Sequence, residues 1–522
     1  MERATASPSE ASGSETSQAE VIAFLGDPAN HGMSEPVKRI DTHAAIVFLA
    51  GEHAFKLKRA VRYAYLDFST CERRRQVCEA ELELNRRTAP DLYLEVRSVN
   101  RLTDGTLSFA AGSPEDWVVV MKRFAPGSLL EEVAARDGLA SDLVRNLADE
   151  IARFHGAAAV SAETGGAQRV QRVIEGNADS FARLSPELLP VEARADVLAR
   201  SLAECGRLAG LLDLRGSTGH VRHCHGDLHL ANICLWHGRP TLFDCLEFDA
   251  ELATVDVLYD LAFLAMDMWH RGYRSAASEL FNRYLDMTDE TPGLGAMPLF
   301  LSMRAAIRAH VSAAAAGRQP SEEARRRKLE AARSYLCAAG SFLDKSHPRL
   351  IAIGGLSGSG KSTIAARLAP LVGGALGARR LRSDVLRKRM AGRSPETRLP
   401  ADAYTAAAHE AVYRRLGEEA CTTLAAGRSV IVDAVFARAD ERANIAHVAD
   451  RAAVPFVGLW LHAPRTVLVA RVASRHGDAS DADPTVVDRQ MAYDVGDIGE
   501  WRSIDASPAV DDVVDAAIGA LK

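Results

Sequence analysis

The stretch HCHGDLHLANICLWHGRPTLFDCLEF, residues 223–248, combines a polar loop with a predicted β-hairpin. The loop carries Asp227 and then, after four intervening residues, Asn232. Two short apolar runs follow, separated by a turn at residues 237–240, and the second run ends at Asp244. A hairpin brings the outer ends of its strands together, so we expect Asn232 and Asp244 to lie side by side. Such a pair suits Mg²⁺, which binds one or two protein oxygens together with phosphates and water.

Asp227, just before the hairpin, is free to accept a proton from a substrate hydroxyl. This division of roles, with one aspartate as base and an asparagine and a second aspartate on the metal, is that of protein kinases. The motif His225-Gly226-Asp227, followed by Asn232, resembles that of the aminoglycoside phosphotransferase family, whose kinase-fold members act on small molecules. The resemblance implies that Asp227 is the catalytic base and that Asn232 and Asp244 bind the metal.

Two other interpretations of this stretch stay open. One is a polar turn without chemistry, since His-Gly-Asp also occurs in turns by chance. The other is a metal site formed by four neighbouring residues, His223, Cys224, His225 and His229. That set lacks the paired Cys-x-x-Cys or His-x3-His spacing of zinc sites.

The length and composition of the chain set the broad class of protein. A chain of 522 residues is too long for a single hydrophobic core, so two or three domains are expected. An apolar fraction of 47% and a charged fraction of 25% are ordinary for soluble globular proteins. The net charge of −6 provides no general attraction to nucleic acid, and no apolar run is long enough to span a membrane. With no signal-peptide pattern and eight singly scattered cysteines, a cytoplasmic protein with reduced thiols is expected.

A second motif lies upstream, where residues 45–49 and 54–58 are predicted to pair as a β-hairpin. Its second strand carries Lys56 between apolar neighbours, as in the kinase strand whose lysine contacts the nucleotide phosphates. Lys58 faces the same side of the strand two residues later and could hold this role instead. Two exposed lysines without a function are the alternative. Only Gly51 lies in the expected glycine-loop position, which departs from protein kinases but not from the aminoglycoside group.

A helix is predicted over residues 70–88, with Val77 and Leu84 on its apolar side. The helix offers several glutamates as partners for the strand lysine. We select Glu81, because Glu-Leu-x-Leu-Asn resembles the corresponding phrase of the aminoglycoside group. A solvated charged face is the alternative for this glutamate and for its neighbours, Glu79 and Glu83.

The rest of this half follows the pattern of a two-lobed kinase. Residues 117–121 form a predicted buried strand, and residues 122–127 are the expected hinge between lobes. Helical patterns extend over residues 129–220 and, after the hairpin, over residues 256–343. Asp260 matches the Asp-Leu-Ala phrase of the family, which implies that it braces the catalytic loop rather than reacts.

The most specific motif of the chain is GLSGSGKST at residues 355–363, a phosphate-binding loop of the form Gly-x4-Gly-Lys-Ser. A strand predicted at residues 349–353 precedes it and a predicted helix follows it, as this motif requires. The glycines let backbone N–H groups face a phosphate, and the helix N-terminus adds its dipole. Ser362 is also the expected Mg²⁺ ligand. The predicted nucleotide contacts are Gly355, Ser357, Gly358, Ser359, Gly360, Lys361, Ser362 and Thr363.

The region downstream of the loop resembles gluconate kinase, shikimate kinase and zeta-toxin-like enzymes. Asp384 and Arg387 share a helix face, as candidate catalytic base and substrate-binding residue. Asp433 ends a predicted buried strand and is a candidate metal ligand. Arg471 and Arg475 lie four residues apart on a predicted helix and are expected to clamp phosphates in catalysis, as in a mobile lid. An ordinary ion-paired helix is the alternative for these two arginines.

The sequence thus predicts an α/β multi-domain protein of three segments. Residues 1–20 are expected to be a disordered tail, since they lack an apolar pattern. Residues 21–345 are expected to form a bilobal α+β domain like that of protein kinases and aminoglycoside phosphotransferases. Residues 346–522 are expected to form a P-loop NTPase domain with a parallel sheet. The pairing resembles bacterial two-domain proteins in which a kinase-like domain precedes a P-loop ATP-binding kinase domain.

The resemblance implies two ATP:alcohol phosphotransferase sites, each using ATP, Mg²⁺ and a small-molecule acceptor. Two alternatives belong to other classes: a nucleotide-binding regulatory protein with a catalytically weak kinase-like half, and a nucleic-acid 5′-hydroxyl kinase in the C-terminal half. The intact Asp227, Asn232 and Asp244 oppose the first alternative. The acidic net charge and the lack of interleaved basic and aromatic residues oppose the second.

Overall fold

The computed structural model describes residues 18–42, 44–63, 66–317, 319–474 and 478–521. The described residues fall into two units, each built from separate stretches of chain. The first unit takes those within Met1–Gly138, Phe154–Val160 and Arg222–Val255. The second unit takes those within Leu139–Arg153, Ser161–Val221 and Asp256–Lys522. The predicted boundary at residue 346 is a division of the sequence and stays a prediction.

The strands are short in most of the chain. Those before residue 130 are β1 (Lys38–Asp41), β2 (Ala45–Ala50), β3 (His53–Lys58), β4 (Arg62–Tyr63), β5 (Leu66–Asp67), β6 (Tyr93–Arg101), β7 (Leu107–Ser108) and β8 (Ser113–Lys122). Those that follow are β9 (Val221–His223), β10 (Ile233–Trp236), β11 (Arg239–Leu242), β12 (Thr254–Asp256), β13 (Leu350–Gly354), β14 (Arg379–Arg382), β15 (Val430–Asp433), β16 (Phe456–His462) and β17 (Arg502–Asp505).

The helices dominate the middle of the chain. Those before residue 345 are α1 (Ala19–Gly26), α2 (Cys71–Arg86), α3 (Leu130–Asp137), α4 (Ser141–Ala157), α5 (Gly166–Ala182), α6 (Val191–Ser217), α7 (Ala250–Ala253), α8 (Val257–His270), α9 (Arg274–Met287), α10 (Met297–Ala316) and α11 (Glu322–Phe342). Those that follow are α12 (Lys361–Leu368), α13 (Ser383–Met390), α14 (Ala406–Ala425), α15 (Ala439–Ala452), α16 (Arg465–Ala473), α17 (Pro484–Met491) and α18 (Val510–Ala520).

The first unit is organised by an antiparallel sheet with the strand order β1-β2-β3-β8-β6-β7. Lys56 lies within β3, opposite Val47 of β2 and Val119 of β8. The predicted hairpin is therefore confirmed, and it places this lysine in the interior of the sheet. On the other face of the sheet, residues of alternate register such as Phe48 and Leu57 are fully buried and pack with α1.

Helix α2 buries a different face from the one expected. Val77 and Leu84 are only half-buried, whereas the buried positions carry largely polar side chains: Arg74, Cys78, Glu81 and Asn85. The spacing of these residues places them on one face of the helix. Helix α2 therefore buries a largely polar face. Val77 packs against the apolar cluster of Val61, Leu66 and Phe68 while it remains half-buried. The most buried face of α2 is nevertheless a different one from that expected, and its Glu81 pairs with Lys56 and Lys58.

The start of the first unit also differs from expectation. Of the predicted disordered tail, residues 1–17 lie outside the described residues, and its last residues are ordered. Gln18 is buried, and its side-chain Nε2 donates to the Lys58 carbonyl oxygen at 3.0 Å and to Asp116 Oδ2 at 2.6 Å. Helix α1 begins at the next residue, Ala19. The tail prediction is wrong for residues 18–20, because a single satisfied amide fixes a segment of otherwise polar composition.

The hairpin after Asn232 has the expected form with a tighter turn. Trp236 pairs with Arg239 in the register of β10 and β11, so the turn contains only His237 and Gly238. Both turn residues have positive φ angles, 51° and 76°, as a two-residue turn between twisted antiparallel strands requires. The four-residue turn expected at residues 237–240 is therefore shorter by two, since Arg239 and Pro240 belong to β11.

The second unit combines a helical layer with a parallel sheet. In the helical layer, α10 packs against α8 and α11, and α5 packs against α6. The sheet has the strand order β14-β15-β13-β16-β17, with every neighbouring pair parallel. Separate apolar clusters cover it, one including Leu416 of α14 and the other Ile364 of α12. This is the doubly covered parallel sheet expected of a P-loop fold.

Among the helices that the structure describes, none has both the length and the apolar character that crossing a membrane requires.

Candidate active sites

The phosphate-binding loop follows β13 in the second unit, and its backbone explains two of its glycines. Gly355 has a φ of 137° and Gly358 a φ of 85°, values that side-chain-bearing residues rarely adopt. A Cβ atom at Gly355 would lie 2.3 Å from the Leu461 carbonyl oxygen, and one at Gly358 would lie 2.5 Å from that of Leu468. The path of the loop therefore depends on both glycines.

The end of the loop passes directly into a helix. Gly360, with a φ of 89°, is the N-cap, and α12 begins at Lys361. The Lys361 ammonium donates to the Leu356 carbonyl oxygen at 3.0 Å, across the loop. The backbone N–H of Ser357 donates to Gln490 Oε1 at 2.7 Å, which ties the loop to α17. A loop of this shape at a helix N-terminus is suited to bind a phosphate.

The two predicted metal ligands of this half are neighbours. Ser362 Oγ donates to Asp433 Oδ2 at 2.5 Å, and Asp433 stands at the carboxyl end of β15. Arg382 Nε lies 3.5 Å from the same carboxylate oxygen. A hydroxyl and a carboxylate in contact at the edge of a parallel sheet are the oxygen ligands that Mg²⁺ accepts, so this pair fits the ion.

Asp384 begins α13 directly beyond β14. Burial raises the pKa of the Asp384 carboxyl, and the nearby Arg382 guanidinium opposes this shift only in part. A carboxyl with a raised pKa is a better proton acceptor when ionised, which suits a general base. Asp384 thus has the environment expected of the predicted base.

These groups line one cleft of about 1180 Å³. Most of the predicted nucleotide contacts lie on its wall, namely Ser357, Gly358, Gly360, Lys361, Ser362 and Thr363. Gly355 and Ser359 do not line it. Gly355 shapes the loop from behind, and the Ser359 hydroxyl is buried without a hydrogen-bond partner among the described residues. The opposite wall carries aromatic and polar side chains, including Tyr404, His409, Tyr413 and Glu441.

The arginines of the cleft differ in part from those expected. Arg387 lines the cleft, donates from Nη1 to the Ala403 carbonyl oxygen at 2.9 Å and lies 5.1 Å from the Tyr404 ring centre. Arg489 of α17 also lines it and is exposed. Arg471 of α16 is not among the lining residues, and Arg475 lies outside the described residues. Their role as phosphate clamps stays a prediction.

The first unit holds a separate ionic cluster. Lys56 Nζ lies 2.7 Å from Glu81 Oε1 and 2.5 Å from Asp244 Oδ1. Lys58 Nζ lies 2.5 Å from Glu81 Oε2 and also pairs with Glu247. Both lysines therefore use the predicted glutamate, but only Lys56 reaches the predicted metal ligand. This contact favours Lys56 over Lys58 as the residue that faces a nucleotide.

The charges of this cluster stabilise one another inside the protein. Burial alone would raise the pKa of Glu81, but the ammonium groups of Lys56 and Lys58 outweigh it and lower that pKa to about 2. Burial likewise opposes the charge on Lys56, yet Asp244 and Glu81 raise its pKa well above the ordinary value. Glu81 is fully buried, so these residues remain ionised only because they are paired.

The catalytic-loop residues lie close to this cluster within the first unit. Asn232 Nδ2 donates to the Asp227 backbone oxygen and to Asp227 Oδ2, both at 2.9 Å. Asn232 therefore keeps its amide oxygen available, and Asp227 presents a carboxylate that is 43% exposed. The backbone oxygen of Asn232 accepts from Phe243 N–H at 3.0 Å, so the hairpin sets Asn232 beside Asp244 as expected.

Asp244 occupies an unusual backbone conformation, with a φ of 61°. Its N–H donates to the Tyr93 hydroxyl at 3.2 Å, and the next N–H, of Cys245, donates to Asn85 Oδ1 at 2.8 Å. These two side chains hold the turn that aims the Asp244 carboxylate at Lys56. Left-handed non-glycine residues of this kind concentrate at functional sites.

The alternative metal site around Asp227 is not supported. Among the described residues, the ligand atoms of His223, Cys224, His225 and His229 do not form a cluster. His225 Nε2 donates to the Phe243 carbonyl oxygen at 2.9 Å, and His229 Nε2 lies 3.4 Å from Asp227 Oδ2. The histidines thus serve the hairpin and the loop instead of a shared ion.

Several residues of the first site were missed by sequence reasoning. Glu247 pairs with Lys58, and Tyr93 and Asn85 support the Asp244 turn. One signal was present in the sequence: Glu81 and Asn85 lie four residues apart on α2, so a polar face was readable. Asp260, the predicted brace, is buried in α8 with Arg304 Nη2 at 3.7 Å from its carboxylate. Its effect on the catalytic loop stays a prediction.

Comparison with known families agrees with both halves. A model of the phosphotransferase enzyme family matches residues 65–298, and a model of the AAA domain matches residues 350–494. Two relatives are uncharacterized proteins of Mycobacterium tuberculosis (strain ATCC 25618 / H37Rv) and Mycobacterium bovis (strain ATCC BAA-935 / AF2122/97). Each is 29% identical over 487 residues, which cover 87% of this chain and 90% of the relative. These relatives therefore span both matched segments.

Solved structures resemble one half or the other. A choline/ethanolamine kinase family protein from Mesorhizobium loti is 17% identical, covering 62% of this chain and 99% of its own, with a TM-score of 0.38. An aminoglycoside phosphotransferase from Streptomyces rimosus is 19% identical, covering 55% and 98%, with a TM-score of 0.32. A gluconokinase from Sinorhizobium meliloti 1021 is 21% identical, covering 34% and 92%, with a TM-score of 0.25.

The family matches support the assignment of the chain as an enzyme. The matched segments contain the two groups of site residues described above, except Lys56 and Lys58, which precede the first match. The chain is a kinase-type phosphotransferase whose residues 65–298 match the model of the phosphotransferase enzyme family and whose residues 350–494 match the model of the AAA domain.

Proposed function

We propose that this protein is an ATP-dependent phosphotransferase with two nucleotide sites, each transferring the γ-phosphoryl group to a hydroxyl of a small molecule. The observation that carries the proposal is the contact of Ser362 Oγ with Asp433 Oδ2 at 2.5 Å, beside Lys361 and Asp384 in one cleft. A phosphate loop, a metal pair and a buried base are the parts that phosphoryl transfer needs from a protein.

In the P-loop cleft, each group has a distinct task. The loop amides and Lys361 bind the β- and γ-phosphates, and Asp384 accepts the proton of the acceptor hydroxyl. Arg387 contacts the acceptor or the transferred phosphoryl group from the same helix as the base. Because the transition state is loose and highly charged, the main contribution of these residues is positioning and charge neutralisation.

In the kinase-like site, Lys56 binds the nucleotide phosphates while Glu81 holds its ammonium in place. Asp227 accepts the acceptor proton, and its exposed carboxylate leaves room for a hydroxyl. Asn232 donates to Asp227, which orients that carboxylate toward the acceptor.

Magnesium is the metal implied for both sites. Ser362 and Asp433 would hold it in the P-loop cleft, and Asn232 and Asp244 would hold it in the kinase-like site. When bound, the ion would neutralise part of the phosphate charge during transfer. Both ligand pairs consist of oxygen atoms at a buried or half-buried edge, which is the donor chemistry this ion prefers.

The proposed acceptors are sugars, aminoglycoside-like molecules or related metabolites, and the proposed location is the cytoplasm. The location is supported by the cysteines, which are mostly buried and form no disulfide within the part of the chain that the structure describes. The acceptor class is supported by the cleft wall opposite the phosphate loop, where Tyr404, His409 and Glu441 offer hydrogen-bonding groups to hydroxyls.

Nucleotide stoichiometry and turnover together test this proposal. Calorimetry with Mg²⁺ present should find two ATP molecules per chain, of which Lys361→Ala removes one and Asp244→Ala the other. A screen of sugars, aminoglycosides and nucleosides should then show acceptor-dependent ATP consumption. One nucleotide per chain, lost entirely in Lys361→Ala, would refute the two-site arrangement. Two bound nucleotides without any consumption would indicate a regulatory protein, and consumption only with 5′-hydroxyl nucleic acid would indicate the remaining alternative.

A further inference from the structure

Strand β14 is an edge strand whose outer side is completed by a side chain. Its inner side pairs with β15, with Arg380 opposite Ile431. On the outer side, Asn282 of α9 donates from Nδ2 to the Ala378 carbonyl oxygen at 3.1 Å and accepts from Arg380 N–H at 2.7 Å. The fully buried amide thus pairs with one backbone carbonyl and one backbone N–H at the outer edge where β14 begins.

The same helix neutralises the basic side chains of this strand. Arg379 is 1% exposed, and its Nη1 lies 2.6 Å from Asp286 Oδ1. Arg380 Nη2 lies 2.6 Å from Glu279 Oε2, and Arg145 donates to the other oxygen of that carboxylate at 2.9 Å. Without these carboxylates, two guanidinium groups would be buried unpaired at a large cost in folding free energy.

The loop that leads into β14 is held by Arg428, which lies against α9. Arg428 donates from Nη2 to the carbonyl oxygens of Ala375 at 2.8 Å and Gly377 at 3.0 Å. Its guanidinium is buried and lies 5.0 Å from the ring centre of Phe281 on α9. Burial lowers the pKa of Arg428 to about 10. The entry into β14 is therefore held by hydrogen bonds, as its edge is.

The exit from β14 leads into the P-loop cleft. Arg382 ends the strand, with Nη2 at 2.8 Å from Asp478 Oδ1 and Nε at 3.5 Å from Asp433 Oδ2. Asp384 follows two residues later. Lys361 and Ser362, by contrast, are placed by β13 and α12, which lie elsewhere in the sheet order. A displacement of β14 would therefore move the base and Arg382 while leaving the phosphate loop in place.

We infer that Asn282 is a positioning residue for phosphoryl transfer in the P-loop cleft, because its amide holds β14 in the register that points Arg382 and Asp384 at the phosphate loop. The inference rests on the proposed function of that cleft. It gives a helix of the phosphotransferase-family segment a part in the chemistry of the AAA segment, so the second site is not complete within residues 350–494.

The test uses the full chain with Asp227→Asn added, so that ATP turnover by the kinase-like site is suppressed. Asn282→Leu removes both hydrogen bonds to β14, and Asn282→Asp retains the acceptor for Arg380 N–H. The matched control is Asn177→Leu, which removes another buried amide of the second unit, one bonded to Met303 and His310. Two quantities are measured for each variant: steady-state Mg·ATP consumption with the sugars, aminoglycosides and nucleosides of the screen, and hydrogen exchange of peptides covering residues 379–384 and 355–363.

Asn282→Leu should lower kcat for ATP roughly 10- to 10²-fold, the scale of a small misplacement of catalytic groups, while KM for ATP stays unchanged. Exchange should quicken in residues 379–384 and not in residues 355–363. Asn282→Asp should recover part of kcat, and Asn177→Leu should retain all of it. A purely structural role would instead change kcat alike in Asn282→Leu and Asn177→Leu, or leave exchange at 379–384 unaltered, and either result overturns the inference.

The two hypotheses fail differently in this experiment. If no acceptor of the screen gives Lys361-dependent ATP consumption but Asn282→Leu still quickens exchange at 379–384 alone, the proposed function is wrong and the support of β14 stands. If acceptor-dependent consumption is present and depends on Lys361 but not on Asn282, the proposed function stands and the positioning role is wrong.

Discussion

The Lys56 ammonium lies 2.5 Å from the Asp244 carboxylate, so the strand lysine and the candidate metal ligand of the kinase-like site are in direct contact. Lys58, two residues further along β3, contacts Glu247 instead. The two lysines share Glu81 but face different carboxylates beyond it. This asymmetry is the reason why the proposal assigns the nucleotide contact to Lys56 and not to Lys58.

Replacing each lysine should therefore have a different result. Lys56→Met should lower turnover by the kinase-like site about 10²-fold or more, because the phosphates lose their positioned cation. Lys58→Met should mainly lower the melting temperature, since it leaves Glu247 buried without its partner. The measurement is ATP turnover in a Lys361→Ala background, together with thermal unfolding. A greater loss of turnover in Lys58→Met would reverse the assignment.

Asp227→Asn should separate binding from chemistry in the same site. The variant keeps an oxygen that can accept from Asn232 but removes the base, so turnover should fall about 10²–10⁴-fold. Mg·ATP affinity, measured by calorimetry on the Lys361→Ala chain, should be retained. Loss of affinity equal to the loss of turnover would mean that Asp227 shapes the site and does not act as base.

Asp384→Asn should reduce activity and raise stability together. Burial raises the folded-state pKa of Asp384 above its unfolded value, so its favourable contribution is present below the unfolded pKa and is lost as pH rises through the folded pKa. At neutral pH the ionised carboxylate therefore costs stability that asparagine avoids, and the variant should melt at a higher temperature than the parent. The difference should shrink as pH falls toward 3.8, the ordinary aspartate value. A lower melting temperature at neutral pH would show that Arg382 and Ser480 outweigh burial.

The arginines of the P-loop half offer a comparison between two helices. Arg489→Gln should lower kcat with little change in melting temperature, because the side chain is exposed on the cleft wall. Arg471→Gln, on the neighbouring α16, is the matched variant, and its side chain does not line the cleft. If Arg471→Gln has the larger effect on kcat, the phosphate clamp predicted from the sequence is correct and α16 moves toward the cleft during turnover.

Local motifs could be predicted from the sequence because their geometry depends on contiguous residues. GLSGSGKST places its own backbone N–H groups through the freedom of Gly355 and Gly358, and strand and helix follow from adjacent residues. The hairpin that sets Asn232 beside Asp244 likewise depends on a local turn at His237 and Gly238. In both cases, one short stretch of chain contains the residues that set the backbone geometry and the residues proposed to bind.

Features that depend on contacts between distant stretches of the chain could be determined only from the tertiary structure. The buried face of α2 is polar because Glu81 pairs with Lys56 and Lys58. These lysines lie 23 to 25 residues earlier in the chain, so the periodicity of the helix sequence could not predict the pairing. The choice of Lys56 over Lys58 required the position of Asp244, 188 residues away from Lys56.

The edge of β14 is the clearest case. In the sequence, Asn282 is one polar residue among several on a helix, and no pattern indicates whether Arg379 and Arg380 are buried. Only packing shows that the amide completes the strand and that helix carboxylates neutralise the arginines. The sequence by itself determined two phosphate-transfer motifs and their local folds. Tertiary contacts decided which charged side chains are buried and which partners they pair with, because burial and pairing are properties of the whole fold.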